Sequence, residues 1–198
     1  MRGRAPRAVR LGVVLMRQDD PKKCTAARLE RLGLARGLRR APSGRGAMVL
    51  DPYSPDILVR ADARSVTSVT AIDCSWRLAG GVFAAGPRAA RKALPPLLAG
   101  NPVNYARLGT LTTAEALAAA LFVLGEGERA HDILSRFAWG HTFHELNASL
   151  LDSYARLEDA SGVDGVLREH GIKWNPSDAP GAARPGGRPR ARARPRRV

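Results

Sequence analysis

Three polar clusters hold most of the side chains able to do chemistry: Asp19 to Thr25, Asp51 to Ser54, and Asp73-Cys74-Ser75-Trp76. Each follows an apolar run and reads as the segment beyond the carboxyl end of a strand, where ligands of open parallel sheets collect. Other chemistries lack their residues. There is no G-x-x-x-x-G-K-[ST] and no G-x-G-x-x-G after a strand, Gly125-Glu126-Gly127 being a turn between helices. No serine sits in a nucleophile elbow. His131, His141, His144 and His170 lack the spacing and thiolate partners of a zinc site. His141 and His144 read as surface or capping residues. Cys24 and Cys74 form no C-x-x-C pair and are too few for a disulfide scaffold. A metal-free protein is expected.

The elements that must position these clusters follow from the apolar pattern. Arg10 to Met16 reads as a short buried strand, closed by the polar run Arg17 to Pro21. Thr25 reads as the N-cap of a helix carrying Ala26, Leu29 and Leu32. Ala47 to Leu50 is a second strand, stopped by Asp51-Pro52, and Ser54-Pro55-Asp56 predicts a helix running towards Asp62. Ser68 to Ile72 is a third strand, delivering Asp73 at its end. Strands alternating with helices predict an α/β fold with a mostly parallel sheet and right-handed crossovers.

Beyond Ala93 the composition changes. Leu94 to Pro102 reads as an irregular crossing, and the remainder as helical. Thr112-Thr113-Ala114-Glu115 is a capping box opening a helix from about Thr113 to Leu124, ended by Gly125. Its apolar residues lie nearly all round, so it should be buried. Further helices are expected near Arg129 to Phe137, Phe143 to Leu157 and Val163 to His170, and the Pro/Gly/Ala/Arg bias from Asn175 predicts unstructured chain. The expected organisation is a basic arm (1–8), an α/β domain (9–93), a helical domain (94–174) and an Arg-rich tail (175–198).

The chain has 198 residues, 44% of them hydrophobic, enough to bury a core, and a formal net charge of +14. Arg2, Arg4, Arg7 and Arg10 supply +4 of that charge, and seven arginines between positions 179 and 198 supply +7. The stretch between keeps only +3. Such arms attract polyanions, RNA foremost, or act as solvated tails that maintain solubility. No apolar run approaches the ~20 residues that cross a bilayer, and the start is no secretion signal. A soluble, cytoplasmic protein is expected.

Several segments, read in order, go further. They are Asp20-Pro21-Lys22-Lys23-Cys24-Thr25 with Leu29 to Leu34, Asp73-Cys74-Ser75-Trp76, Leu94-Pro95, Asn101-Pro102-Val103-Asn104-Tyr105, Glu115 to Ala120, and Phe137-Ala138-Trp139-Gly140 with Phe143 and Leu146-Asn147. Together they resemble the small-subunit ribosomal RNA aminocarboxypropyltransferases of archaea and eukaryotes, over about Leu11 to Tyr154. The resemblance implies an S-adenosyl-L-methionine-dependent enzyme. Such an enzyme moves the 3-amino-3-carboxypropyl group to N3 of an N1-methylpseudouridine in small-subunit rRNA, during ribosome biogenesis. It also implies a SPOUT-like fold with a deep trefoil knot around Leu94 to Thr113, a pre-ribosomal small subunit as partner, and a monomer. The alternatives are a SPOUT-like RNA methyltransferase and a non-catalytic RNA- or ribosome-binding protein.

The resemblance assigns roles residue by residue. Trp76 packs against the methionine portion of the cofactor, a large rigid wall at little entropic cost. Asp73 pairs with the cofactor's ammonium group or accepts the N3 proton, pairing being the favoured reading. Thr25 bonds the cofactor's carboxylate at a helix start. Leu50, Leu94 and the loop Gly109 to Thr113 hold the adenosine. Ala106 and Gly109 replace the family's frequent glycine and aromatic, which leaves backbone bonds there rather than ring stacking. Lys22, Lys23, Arg28 and Arg31 form the leading RNA-facing cluster, which Arg107 extends, and the base recognised is an unpaired loop nucleotide.

Overall fold

A computed structural model describes residues 8–16, 24–74, 82–83 and 89–175. Five strands form one sheet in the order β2-β1-β4-β3-β5: β1 Arg10–Leu15, β2 Arg36–Leu38, β3 Ala47–Leu50, β4 Ser68–Asp73 and β5 Ala90–Lys92. Every neighbouring pair is parallel. Leu11 to Val14 in β1 and all of β3 are buried without alternation, as strands covered on both faces require. The register pairs Leu15 with Asp73, Leu50 with Ala71, and Leu50 with Lys92. The carboxyl ends of β1, β4, β3 and β5 therefore finish along one side of the sheet.

The three predicted strands form where the apolar runs placed them. The two edge strands, β2 and β5, were not anticipated. Both are three residues long and carry charged residues (Arg36; Arg91 and Lys92), so neither shows a buried-strand pattern. The helix predicted from Ser54 does not form. Ser54 Oγ instead donates to the Arg91 carbonyl at 3.0 Å and accepts from the Asp56 N–H, and Ile57 bridges to Ala93. This segment is pinned along the exit of β5, and only one 3-10 turn, Arg60–Arg64, follows.

Five α-helices complete the described chain: α1 Thr25–Arg31, α2 Thr113–Leu124, α3 Gly127–Ser135, α4 Gly140–Tyr154 and α5 Val163–Glu169. The capping box is present as predicted, with the Thr112 hydroxyl accepting from Glu115 N–H while the Glu115 carboxylate accepts from Thr112 N–H. Helix α2 ends at Gly125 (φ +85°), in the left-handed region glycine adopts without penalty. It is the central element, packing on β4, α1, α3 and α4. One continuous apolar core runs from Val13, Leu29 and Met48 through Leu117 and Leu121 to Phe143 and Val166.

Candidate active site

The end of β4 meets the starts of two helices. Asp73, half-buried, accepts from the Thr113 hydroxyl at 2.9 Å through Oδ1 and from the Cys24 thiol at 3.1 Å through Oδ2. Cys24, not Thr25, is the N-cap of α1: its Sγ accepts from Ala27 N–H at 3.3 Å. Thr25 is the first helical residue, and its hydroxyl is turned across to accept from Ala114 N–H, in the first turn of α2, at 3.4 Å. Asp73, Thr25 and Thr113 are thus gathered at one junction.

The thiol in this junction is a neutral donor. Burial first, and the Asp73 carboxylate after it, push Cys24 from 9.0 up to about 11, against the lowering effect of the Ala27 N–H. A thiolate beside Asp73 would place two anions together.

The second side of the junction is a strap. After β5 the chain runs through Leu94 to Ala99, makes a tight loop and returns, with Leu98 bridging Leu108 and Gly109 N–H donating to the Leu97 carbonyl at 2.9 Å. Leu94 follows Lys92, the partner of Leu50, by two residues, so both leucines stand at the same strand ends. Leu50 is buried and Leu94 half-buried against the main core.

Helix α4 holds the strap from outside. Asn147 accepts from Leu98 N–H and donates to the Leu98 carbonyl, both at 2.8 Å, and Tyr154 donates to the Pro96 carbonyl at 3.0 Å. Inside the loop, the fully buried Glu115 accepts from Gly100 N–H, Asn101 N–H and Asn101 Nδ2. Sequence reasoning saw Glu115 only as a cap and missed its grip on the loop, together with Cys24 and Asn147. The capping box accounts locally for Glu115, so its bonds to Gly100 and Asn101 become visible only once the fold is known.

The remaining expectations separate. The cluster at Asp51 is structural: the carboxylate is fully buried, accepts from Tyr53 N–H at 2.9 Å and pairs with Arg91, which also donates to the Phe83 carbonyl. Arg28 and Arg31 lie exposed in the last turn of α1, and the Arg28 guanidinium stands 5.0 Å over the Phe137 ring. Trp76, Lys22 and Lys23, and both basic arms, lie outside the described residues. His144 does not cap. It packs against His131 and Phe122, the two imidazole centroids 4.5 Å apart.

Residues 48–170 match the family model described as "Ribosome biogenesis protein, C-terminal". A 16S rRNA aminocarboxypropyltransferase from Halobacterium salinarum is 46% identical over 156 residues, spanning 77% of this chain and 90% of the relative. One from Methanopyrus kandleri is 44% identical, spanning 79% and 96%. The chain belongs to the 16S rRNA aminocarboxypropyltransferase family. A solved structure titled as a SAM-dependent rRNA:acp-transferase from Vulcanisaeta distributa superposes on this aminocarboxypropyltransferase-family chain with a TM-score of 0.74. Its identity is 31%, and the likeness covers 88% of this chain and 94% of that one.

A second family model, "Possible Fer4-like domain in RNase L inhibitor, RLI", matches residues 9–41. That segment holds a single cysteine, Cys24, and an iron–sulfur cluster takes four thiolates. Its residues do not fit a cluster.

Proposed function

We propose that this member of the family transfers the 3-amino-3-carboxypropyl group of S-adenosyl-L-methionine to N3 of an N1-methylpseudouridine in small-subunit rRNA. The observation that carries the reading is Asp73, fixed by Thr113 and Cys24 where β4 meets the starts of α1 and α2. The relatives' printed activity supplies the chemical class.

The residues present fit the cofactor. Thr25 Oγ1 accepts from Ala114 and keeps its own proton to donate to a carboxylate. Each Asp73 oxygen holds one donor and has a lone pair left for an ammonium group. Leu50 and Leu94 give apolar walls for the adenine, and the backbone of Gly109 to Thr113 reads its polar edge. When bound, the sulfonium offers an electrophilic γ-carbon and a neutral thioether leaving group.

Regiochemistry then rests on placement. Thr25 and Asp73 anchor the two polar groups of the amino-acid arm, which fixes its γ-carbon towards the RNA. Trp76, three residues after Asp73 in the sequence, is the residue assigned to that arm, and the site as a whole has to bury the methyl. The SPOUT-like trefoil knot belongs around residues 94–113, where the chain leaves β5, doubles back at Leu98 and Leu108 and enters α2. Residues 9–93 supply the anchors of the amino-acid arm and the Leu50 wall, residues 94–174 the rest of the adenosine cradle, and Lys22, Lys23, Arg28 and Arg31 face the RNA. The enzyme works as a cytoplasmic monomer.

The test uses S-adenosylmethionine labelled either in its carboxyl carbon or in its methyl group, with methylated small-subunit rRNA as acceptor. Carboxyl label on the RNA is expected. Methyl label alone would make this a methyltransferase, and neither label would reduce it to an RNA-binding protein.

A further inference from the structure

The loop inside the strap, Asn101 to Arg107, carries the most exposed large apolar side chains of the described residues, Val103 at 83% and Tyr105 at 58%. Single exposed apolar side chains are ordinary. These two differ in how firmly the backbone beneath them is held. Glu115 takes the Gly100 and Asn101 N–H groups at 2.7 and 2.9 Å, and Asn101 Oδ1 accepts from Asn104 N–H at 3.0 Å. Ala106 N–H donates to the Ala99 carbonyl at 2.7 Å, and Ala99 N–H to the Arg107 carbonyl at 2.9 Å.

Ala106 adopts φ +57°, the only non-glycine residue with positive φ among those described. A left-handed alanine costs roughly 1–2 kcal/mol, so the surrounding bonds impose that shape. Strain of this kind gathers where a fixed surface is needed. A surface already ordered loses little entropy when something docks on it.

Position supplies the second argument. The loop is gripped by Glu115, two residues from Thr113, whose hydroxyl is on Asp73. The foot of the loop is therefore held from the same first turn of α2 that holds Asp73. Two positions along the same loop, Arg107 is also exposed. An aromatic face with a cation next to it is how proteins hold unpaired nucleotides, ring on base and guanidinium on phosphate. Two side chains are far too small an area for a stable protein interface.

Resting on the function proposed above, we infer that Tyr105 is a stacking platform for an unpaired rRNA nucleotide flanking the modified base, with Arg107 holding its phosphate. The platform positions the RNA strand, and the chemistry stays at Asp73.

The full chain is titrated into a fluorescently labelled, uridine-rich single-stranded RNA, and anisotropy is read. Tyr105→Ala weakens binding by about tenfold or more, the loss of one stacked base, and Tyr105→Phe keeps it within about twofold. Calorimetry with S-adenosylmethionine gives the same affinity for all three proteins, which also shows that they are folded. Tyr105→Ala binding RNA within about twofold of the parent, or Tyr105→Phe as weak as Ala, overturns the platform. Label transfer separates the two ideas. A parent protein that transfers nothing while Tyr105→Ala still loses RNA sinks only the functional reading, and full transfer with an unchanged KM for rRNA in Tyr105→Ala sinks only the platform.

Discussion

Asp73 is held as an acceptor from two sides, by a hydroxyl and a thiol, and in the proposed reaction its task is to balance the cofactor's ammonium charge. Asp73→Asn keeps the shape and removes the charge. It is expected to lower carboxypropyl transfer by roughly tenfold to a hundredfold, the worth of one charged hydrogen bond, with the melting temperature nearly unchanged; equal transfer rates in parent and variant would take Asp73 out of the site. Cys24 makes a prediction in the pH direction. Its folded value lies near 11 against 9.0, so the folded protein keeps a proton that the unfolded chain sheds. Its contribution to stability is whole below about 9 and is lost as pH rises towards 11. Denaturation between those limits should show a falling stability that Cys24→Ser flattens, and the thiol should resist alkylation at neutral pH in a Cys74→Ser background. Asp73 was legible in the sequence because it ends an apolar strand run. The cap was misassigned to Thr25 because a hydroxyl is the commoner N-cap. A thiol takes that place here, leaving the Thr25 oxygen for Ala114, and nothing local to residues 24–27 announces a partner 89 positions away.

Among the elements, the start of α2 does most to shape the site, and it was spelled out locally by Thr112 and Glu115. Glu115→Ala leaves two backbone N–H groups, an amide and a helix start without their acceptor. It should cost about 3 kcal/mol or more in chemical denaturation and loosen the loop that carries Tyr105. Full stability in that variant would mean that water replaces the carboxylate. Helices α3 and α4 make a second prediction through His131 and His144. Partial desolvation first, and the neighbouring imidazole second, hold the largely exposed His131 below its usual 6.5, so the unfolded chain takes up the proton more readily. The His131 contribution to stability is present above about 6.5 and falls as pH drops below it; His144→Gln should shallow the decline of melting temperature towards pH ~5.5. Helices with a period and a cap were readable, and so were strands made of unbroken Val, Leu and Ile. Strands β2 and β5 were not, because at three residues their formation is decided by the neighbour they pair with. The segment after Ser54 carries every sign of a helix start, and its bonds to Arg91 and the β5 exit outweigh that local preference.

For the molecule as a whole, charge and connectivity matter more than any single contact. Half of the net +14 sits on the seven arginines beyond position 178, so deleting residues 179–198 should make the log–log dependence of RNA affinity on salt shallower by up to about five. Cofactor affinity should not move; an unchanged salt slope would show that the tail stays off the RNA. A continuous core joins the parallel sheet to the helical half, across the change of composition near Leu94. The clamp on the strap also sets a timetable. Asn147 lies 49 positions after Leu98, and Tyr154 lies 58 after Pro96. A translating ribosome adding about 5–20 residues per second delivers those partners roughly 3–10 s after the segment they secure. Until then the nascent polypeptide has the Asp73 carboxylate but a strap without its clamps, so on the proposed function catalytic competence arrives late in synthesis, with the fourth helix and not with the sheet.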